Sequence, residues 1–275
     1  MRFFKYSGAG NDFVIVAAEE MAGLAPDLLA QRICARSTGV GADGLVLVRR
    51  LGPTRVEARF FNPDGSEFST CGNGTRSAAR YALDLGLVDS EPFTAVTAAA
   101  EITAASIPGG IALEYLIEAR IAGERRVPFD GEPRTGWLVH IGLPHFVLPL
   151  QALPEGSIED ACRPIRHHRA FSPEGANVNL VALHQRRSGE IRTFERGVEG
   201  ETPACGSGAM AAVLALHVAG RCDRSVALRT RSSEVLEVTL GQEAVTCGES
   251  GRVLIGLAGP VRRLFEGFLP AGGAH

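Results

Sequence analysis

The stretch "TCGNGTRSAAR", residues Thr70 to Arg80, places a cysteine directly before Gly-Asn-Gly and an alanine-rich run that predicts a helix. The N-terminus of a helix presents N–H groups without intrahelical partners and carries a partial positive charge. Glycines there let a carboxylate approach the backbone, and the same field favours the thiolate form of Cys71. The stretch therefore predicts an activated cysteine beside an anion site, although a tight turn around a small buried residue is the simpler explanation of a single copy.

A second copy of the motif follows 134 residues later in "ACGSGAMAA", which contains Cys205. The same offset places Gly8 on Gly142, in a separate loop, without a gap. A shift that aligns two loops predicts two structurally similar halves. The duplication favours a functional pair, Cys71 and Cys205, over two coincidental turns.

Two thiols on opposite sides of one carboxylate-bearing molecule predict the inversion of a stereocentre, because a thiolate can remove a proton while a thiol delivers one from the other face. The α-proton of an amino acid is very weakly acidic, so dry surroundings and oriented N–H dipoles would have to stabilise the carbanion. Lys5 is the only lysine and offers no supported pyridoxal-phosphate site. The chain has no HExxH sequence or clustered carboxylate triad, and we expect neither a metal nor an organic cofactor.

The composition is that of a soluble globular protein: 275 residues, 45% hydrophobic and 21% charged, with a net charge of −3. This balance predicts no nucleic-acid or membrane partner, and no apolar run approaches the ~20 residues of a membrane helix. The six cysteines are too sparse for a disulfide framework, none is spaced as CxxC, and no secretory signal precedes them. We therefore expect a cytoplasmic protein with reduced thiols, in which the four cysteines outside the motifs are packing residues.

Short runs typical of strands dominate both halves and are broken by Gly, Pro, Asp and Asn. One of the last is "EAVTCG", residues 243–248. Four segments predict helices: "PDLLAQRICARS", "GNGTRSAARYALDLG", "SIEDACRPIRHH" and "GSGAMAAVLALHVAG". Many strands with few interspersed helices indicate an α+β fold.

The repeat predicts two domains, residues 1–132 with Cys71 and residues 133–260 with Cys205. The polar segment 123–135, "GERRVPFDGEPRT", is interpreted as the connection between them. The tail, residues 261–275, has no counterpart in the first repeat and is expected to return to the first domain. We expect the two cysteine loops to face each other across a cleft.

The stretches that carry a family resemblance run in order along nearly the whole chain: "FKYSGAGNDFVIV", "GVGADGLVLV", "FNPDGSEFSTCGNGTRSAARY", "GLPHFV", "GANVNLV" and "ERGVEGETPACGSGAMAA". Together they resemble diaminopimelate epimerases. The resemblance implies two pseudo-symmetric domains, each a mostly antiparallel sheet wrapped around a central helix, with the active site in the cleft between them. It also implies a homodimer that interconverts LL- and meso-2,6-diaminopimelate without pyridoxal phosphate, in lysine and peptidoglycan-precursor synthesis.

Matched position by position, Cys71 and Cys205 are the acid/base thiols of this family, and His145 and Glu195 adjust their protonation. Arg196 suits the distal carboxylate of the substrate, because a guanidinium can bind a carboxylate through two hydrogen bonds. The substrate-binding residues that the resemblance implies are Asn11, Asn62, Gly72, Asn73, Asn179, Glu195, Arg196, Gly206 and Ser207.

Three positions depart from the common pattern of the family. Leu143 stands where many members have asparagine, which removes a polar contact to the substrate. Gly44 stands where some members have glutamine, and Phe265 where a tyrosine often supports the dimer.

Three alternatives to the diaminopimelate reaction remain open on the residues alone. A racemase of another amino acid is favoured by Leu143 and disfavoured by Arg196, which a monocarboxylic substrate would not need. A cysteine hydrolase or acyltransferase would require a base at only one of the two motifs. A non-catalytic relative would lack one of the two cysteines.

Overall fold

A computed structural model describes residues 1–21, 23–242 and 246–269 and divides the chain into two compact units. Unit 1 comprises Met1–Leu113 together with the segment from Gly259 onward, and unit 2 comprises Glu114–Ala258. The division falls at 113/114, earlier in the chain than the 132/133 division expected from the repeat. Of the strand expected at 243–248, residues 243–245 lie outside the described part of the chain, and 246–248 are not in a strand.

Unit 1 begins with a hairpin and alternates strands with two helices. Its elements are β1 (Arg2–Gly8), β2 (Asn11–Ala17), a 3₁₀ turn (Ala18–Met21), α1 (Pro26–Cys34), β3 (Gly44–Gly52), β4 (Arg55–Phe61), β5 (Glu67–Phe68), α2 (Gly72–Asp84), β6 (Phe93–Val96) and β7 (Glu101–Ile107). A long strand, β8 (Gly110–Phe129), begins in unit 1 and continues into unit 2.

Unit 2 repeats this order of strands and α-helices, but its 3₁₀ turn follows the first helix instead of preceding it. Its elements are β9 (Glu132–Ile141), β10 (Leu143–Leu150), α3 (Glu159–Arg166), a 3₁₀ turn (Arg169–Phe171), β11 (Asn177–Gln185), β12 (Ser188–Glu195), β13 (Gly200–Thr202), α4 (Gly206–Val218), β14 (Ser225–Arg229) and β15 (Val235–Leu240). A second long strand, β16 (Ser250–Phe268), begins in unit 2 and ends in unit 1.

The two units also share their strand pairing. In unit 1, β1–β2, β3–β4, β4–β5 and β6–β7 are antiparallel, whereas β2–β3 and β4–β6 are parallel. In unit 2 the corresponding pairs, β9–β10, β11–β12, β12–β13 and β14–β15, are antiparallel, and β10–β11 and β12–β14 are parallel. A shift of 134 residues carries α2 onto α4 end to end. The mostly antiparallel, pseudo-symmetric α+β prediction is confirmed.

Each sheet wraps around one helix and carries a second helix on its other face. α2 contacts β1, β2, β3, β4 and β7, and α4 contacts β9, β10, β11, β14 and β15. On the other face, α1 packs with Val14, Leu45 and Phe61, and α3 packs with Phe146 and Leu180. Because successive strand residues point to opposite faces, β2 and β10 leave Asn11 and His145 on the side of α2 and α4.

The segment 123–135 is not a connection, and this sequence-based prediction was wrong. It forms the tip of an antiparallel hairpin in which β8 pairs with β9 from Ala119↔Ile141 to Phe129↔Glu132. Asp130 and Gly131 form its two-residue turn with φ of 51° and 77°. An Asp-Gly pair with positive φ at both positions is the preferred closure of such a hairpin, because its twist matches that of the strands.

The tail after Pro260 pairs with the first strand of the chain. β16 runs antiparallel to β1 from Gly8↔Val261 to Arg2↔Phe268. Residues 270–275 lie outside the described part of the chain. Among the described residues, none of the helices is both long and apolar enough to cross a lipid bilayer.

Candidate active site

Cys71 is the N-cap residue of α2, as its sequence context predicted. Its backbone is extended (φ −152°, ψ 117°), and its Sγ accepts a hydrogen bond from the N–H of Gly74 at 3.4 Å. The thiol therefore satisfies one of the N–H groups that a helix start leaves unpaired. Gly72 and Asn73 provide the first two backbone N–H groups of the helix, at the end where its dipole is positive.

Cys205 is the N-cap residue of α4, with a similar extended backbone (φ −123°, ψ 109°) and 7% exposure. Its Sγ lies 3.5 Å from the Oγ of Ser207 and also hydrogen-bonds to the carboxyl of Glu195. Gly206 and Ser207 begin the helix that Cys205 caps. The two cysteines thus occupy the same position in the fold but have different polar partners.

Glu195 ends β12, and β13 brings Thr202 against it. The Thr202 hydroxyl donates to Oε2 of Glu195 at 2.8 Å. Burial raises the pKa of the Glu195 carboxyl above its usual value, and the hydrogen bonds from Thr202 and Cys205 lower it in part. A carboxyl with a raised pKa that contacts a thiol is suited to exchange a proton with that thiol.

His145 is completely buried beside α4, and its partner is an asparagine. The amide nitrogen of Asn179 lies 3.3 Å from Nδ1 of His145 and donates to the Phe146 carbonyl at the same distance. Since Nδ1 accepts, the ring proton resides on Nε2, which has no hydrogen-bond partner among the described residues. Burial, helped by the charges of His140 and Arg196, lowers the pKa of His145 to about 3. The imidazole is therefore neutral at physiological pH.

Asn179 is a support for His145 within unit 2. Its Oδ1 accepts from the Thr193 hydroxyl at 3.0 Å, and the residue has no exposed surface. Gly208, in the first turn of α4, allows this arrangement, because a Cβ there would lie 2.3 Å from Oδ1 of Asn179. The oxygen and the nitrogen of the Asn179 amide are thus both hydrogen-bonded inside the protein.

Asn177, two residues earlier on the same strand, is a site residue that the sequence-based prediction missed. Its Oδ1 accepts the backbone N–H of Arg196 at 2.7 Å, while its amide nitrogen bonds to no described residue. A signal was present in "NVN", because residues two apart on a strand face the same side. The Arg196 side chain itself reaches Glu174 at 3.4 Å and is 27% exposed.

Asn11 lies in unit 1 and is joined directly to Asn73. The Asn73 amide nitrogen donates to Oδ1 of Asn11, and the Asn11 amide nitrogen donates to Asp43 at 3.1 Å. Oδ1 of Asn73 in turn accepts from the guanidinium of Arg76, which is fully buried. Asp43 and Arg76 were not predicted from the sequence.

Asn62 lies in the turn between β4 and β5, away from this chain of hydrogen bonds. Its amide donates to Ser66 Oγ at 2.9 Å, and its backbone N–H donates to the Ser66 carbonyl. Leu143 begins β10 with 42% exposure, whereas Gly44 begins β3, where a Cβ would lie 3.0 Å from the Phe61 carbonyl. A side chain at Gly44 would therefore require the neighbouring strand to shift.

Unit 1 thus gathers Asn11, Asn73 and Cys71 at the start of α2, and unit 2 gathers His145, Asn179, Glu195 and Ser207 with Cys205 at the start of α4. Lys5 is 3% exposed, and its Nζ bonds to Asp12 at 2.7 Å and to the Gly41 carbonyl. Its ammonium group is committed to these internal contacts.

The comparison with known proteins agrees with the family resemblance of the sequence. A family model for diaminopimelate epimerase matches residues 3–107 and 137–254. The diaminopimelate epimerase of Aquifex aeolicus is 34% identical to this chain, with 98% of each protein covered. That of Hydrogenobaculum sp. is also 34% identical, again with 98% of each covered.

Solved structures of other epimerases share the fold at low identity. A hydroxyproline epimerase from Agrobacterium vitis superposes with a TM-score of 0.70 at 13% identity, covering 97% of this chain and 91% of its own. A probable proline racemase from Agrobacterium radiobacter gives a TM-score of 0.71 at 15% identity, covering 98% and 93%. The family model and the curated relatives together cover the site as well as the fold, and the chain belongs to the diaminopimelate epimerase family of isomerases.

Proposed function

We propose that this chain interconverts LL- and meso-2,6-diaminopimelate by proton transfer between the α-carbon and two thiols, without pyridoxal phosphate. One observation carries the proposal: Cys71 and Cys205 are the N-cap residues of corresponding helices in a duplicated fold. Two thiols at matched positions provide one base and one acid for the two faces of a stereocentre. The reaction would serve lysine and peptidoglycan-precursor synthesis in the cytoplasm.

The start of each of the two helices is suited to bind the α-carboxylate in the proposed reaction. Backbone N–H groups at Gly72 and Asn73 and at Gly206 and Ser207 are suited to bind an anion. The same dipoles stabilise the negative charge that develops when the α-proton leaves. Cofactor-free chemistry at a weakly acidic carbon depends on this stabilisation, and Asn11 and Asn62 would supply further polar contacts.

The partners of the two thiols favour different resting protonation states. Glu195 accepts the hydrogen bond of Cys205, which holds the proton on that sulfur. Cys71 accepts the N–H of Gly74 at the positive end of the α2 dipole, and this arrangement favours a thiolate. We therefore infer that Cys71 is the base and Cys205 the acid in the resting enzyme.

The distal end of the substrate would be bound by Arg196 and its neighbours. A guanidinium is suited to bind a distal carboxylate. On binding it, Arg196 would give up its 3.4 Å contact with the exposed Glu174. We propose Asn177 as a further contact in place of Asn179, whose amide atoms are occupied internally.

We also propose a homodimer. Leu264, Phe265 and Phe268 on β16 are 50%, 49% and 74% exposed, and three exposed large apolar side chains on one strand are typical of an interaction surface. Phe265 packs edge-on against Phe3 at 6.3 Å between ring centroids. Sedimentation of the wild type and of Phe268→Arg tests this: a monomer in both cases would exclude the dimer.

The test of the reaction is exchange of the α-hydrogen of LL-diaminopimelate with deuterium from solvent. Purified protein without added cofactor, kept under a thiol reductant, should incorporate deuterium and form the meso isomer. Cys71→Ala and Cys205→Ala should each abolish epimerisation. Epimerisation that survives in either variant would contradict the two-base reaction.

A racemase of another amino acid remains the second candidate, because Leu143 is an exposed apolar residue where a polar contact is common in the family. The same exchange assay on a panel of monocarboxylic and dicarboxylic amino acids separates the two. Arg196→Met should raise the KM for diaminopimelate and leave exchange of a monocarboxylic amino acid unaffected.

A further inference from the structure

Four side chains at the start of α2 form a continuous chain of hydrogen bonds, which we call the amide relay: Asp43, Asn11, Asn73 and Arg76. Asp43 Oδ2 accepts from the amide nitrogen of Asn11 at 3.1 Å. Oδ1 of Asn11 accepts from the amide nitrogen of Asn73, and Oδ1 of Asn73 accepts from Arg76. The relay therefore has an anion at one end and a cation at the other.

The charges at the two ends determine which way both amides point. The oxygen and nitrogen of an asparagine amide have nearly the same shape, so packing alone does not select between the two orientations. A carboxylate accepts hydrogen bonds and a guanidinium only donates them. Asp43 therefore requires the Asn11 nitrogen on its side, Arg76 requires the Asn73 oxygen on its side, and the bond between the two asparagines then has one possible direction.

The anionic end is held in place by a second set of charges. Asp43 Oδ2 also accepts the backbone N–H of Asp12 at 3.1 Å, and Arg36 bonds to both Asp43 and Asp12. Burial raises the pKa of Asp12, but hydrogen bonds from Arg36 and Lys5 outweigh it and bring that pKa to about 2. The Asp12 carboxylate is thus a fixed acceptor for Arg36, and Arg36 in turn binds Asp43.

Among its described residues, the second half of the protein has no equivalent of the relay. The 134-residue offset puts Asn177, His145, Ser207 and Met210 at the positions of Asp43, Asn11, Asn73 and Arg76. Met210 is 6% exposed and Arg76 is 0% exposed, so a cation is buried beside one helix start and a thioether beside the other. The relay is therefore a property of unit 1 and not a requirement of the repeated fold.

We propose that Asp43 and Arg76 are positioning residues for the epimerase reaction, and that they fix the Asn11 and Asn73 amides so that their oxygens point along the relay. Asn11 is partly exposed, and the second N–H of its amide bonds to no described residue. The relay thereby presents a donor, not an acceptor, to a carboxylate-bearing substrate. This inference rests on the proposed function, because it assumes that the substrate binds at the start of α2.

The kinetic test uses Asp43→Asn, Arg76→Met and the double variant, with Asp89→Asn as the matched control. Asp43→Asn keeps the shape of the side chain but gives residue 43 a hydrogen-bond donor. The Asn11 amide can then rotate by 180°. As a result, kcat/KM for diaminopimelate should fall about 10- to 100-fold, mainly through a higher KM. Arg76→Met copies the second repeat and should act similarly. Either change alone removes the constraint on the orientation of the two amides. The kcat/KM of the double variant should therefore be no lower than that of the less active single variant.

Asp89→Asn makes the same chemical change at an exposed carboxylate that pairs with Arg50 outside the relay, and it should retain activity within about twofold. Asp43→Glu, which restores an acceptor, should recover part of the loss. Retention of wild-type KM in Asp43→Asn, or losses that multiply in the double variant, would overturn the proposal.

A substrate-free measurement separates this inference from the proposed function. The side-chain amide signals of Asn11 and Asn73 in ¹⁵N NMR spectra are assigned by their loss in Asn11→Ser and Asn73→Ser. Asp43→Asn should shift the Asn73 signal, because Asp43 is joined to Asn73 through Asn11. An unchanged Asn73 signal would exclude the relay even in an active enzyme, whereas a shifted signal in a protein without epimerase activity would refute only the proposed function.

Discussion

Gly208 should tolerate alanine far less well than Gly74, although the two glycines occupy the same position in α4 and α2. A Cβ at Gly208 would lie 2.3 Å from Oδ1 of Asn179 and 3.3 Å from the Cβ of Cys205. At Gly74 the nearest atoms are ring carbons of Phe60 at 3.0 and 3.1 Å. The first contact is impossible without rearrangement, and the second needs a shift of a few tenths of an ångström.

The magnitude follows from what holds Asn179. Its Oδ1 must retreat by about 1 Å, but its amide is bound to Thr193, His145 and Phe146 in a site without exposed surface. Overpacking costs about 1–3 kcal/mol, and a buried polar group that loses its partner costs a similar amount. Any gain in helix propensity from alanine is shared by both positions and cancels in the comparison. We expect Gly208→Ala to lose about 3 kcal/mol of unfolding free energy, and Gly74→Ala about 1 kcal/mol or less.

Thermal and urea unfolding of the two variants, measured beside the wild type, tests this difference. A gap of about 2 kcal/mol corresponds to a difference in Tm of roughly 4–8 °C for a protein of this size. Equal stability of the two variants, or a less stable Gly74→Ala, would refute the reasoning, because it would mean that Asn179 can move freely.

Three further predictions concern single residues. Gly131→Val should lower the unfolding free energy by about 1–2 kcal/mol in urea titrations, because φ is 77° at this turn position; Gly131→Asn should be milder. The pKa of His145 is about 3 in the folded protein, against an ordinary value of 6.5. Between these two pH values the unfolded chain binds a proton at His145 that the folded protein does not bind. The free energy of unfolding therefore decreases as the pH falls from 6.5 towards 3. Unfolding measured at pH 7 and pH 4.5 should show a smaller acid-induced loss in His145→Gln than in the wild type, and equal losses would contradict the shift. Thr202→Val removes a hydrogen bond that lowers the Glu195 pKa. If the ionisation of Glu195 sets the acid limb of the pH profile of kcat/KM, that limb should move to higher pH. An unchanged profile would mean that another group sets the limb.

The repeat was predictable because it is local. A cysteine, two glycines and an apolar helix within one short segment specify a helix start wherever they occur, and the four helices lie where the sequence predicted them. The two cysteines and the α+β class followed from the same reasoning.

The hydrogen-bond partners were not predictable, because they come from distant parts of the chain. Asp43 reaches Asn11 across 32 residues, and His145 depends on Asn179 34 residues later. Neither pair has a spacing that sequence alone would mark. The hairpin at 123–135 was missed for another reason: its three arginines and two glutamates are typical of a solvated linker, and only the Asp-Gly pair between them signals a tight turn.

The pairing of β1 with the last residues of β16 imposes an order on the synthesis of the protein. Residues 114–258 of unit 2 are continuous in the chain and can pack as soon as they leave the ribosome. Strand β1 can pair with β16 only after residues 261–268 have been synthesised. The two backbone hydrogen bonds between Met1 and Leu269, at 2.9 and 3.1 Å, form last because they join the two ends of the described chain. The unit whose translation begins first is thus completed last, and a ribosome that stalls before residue 259 would hold Cys71 in a unit that lacks its closing strand.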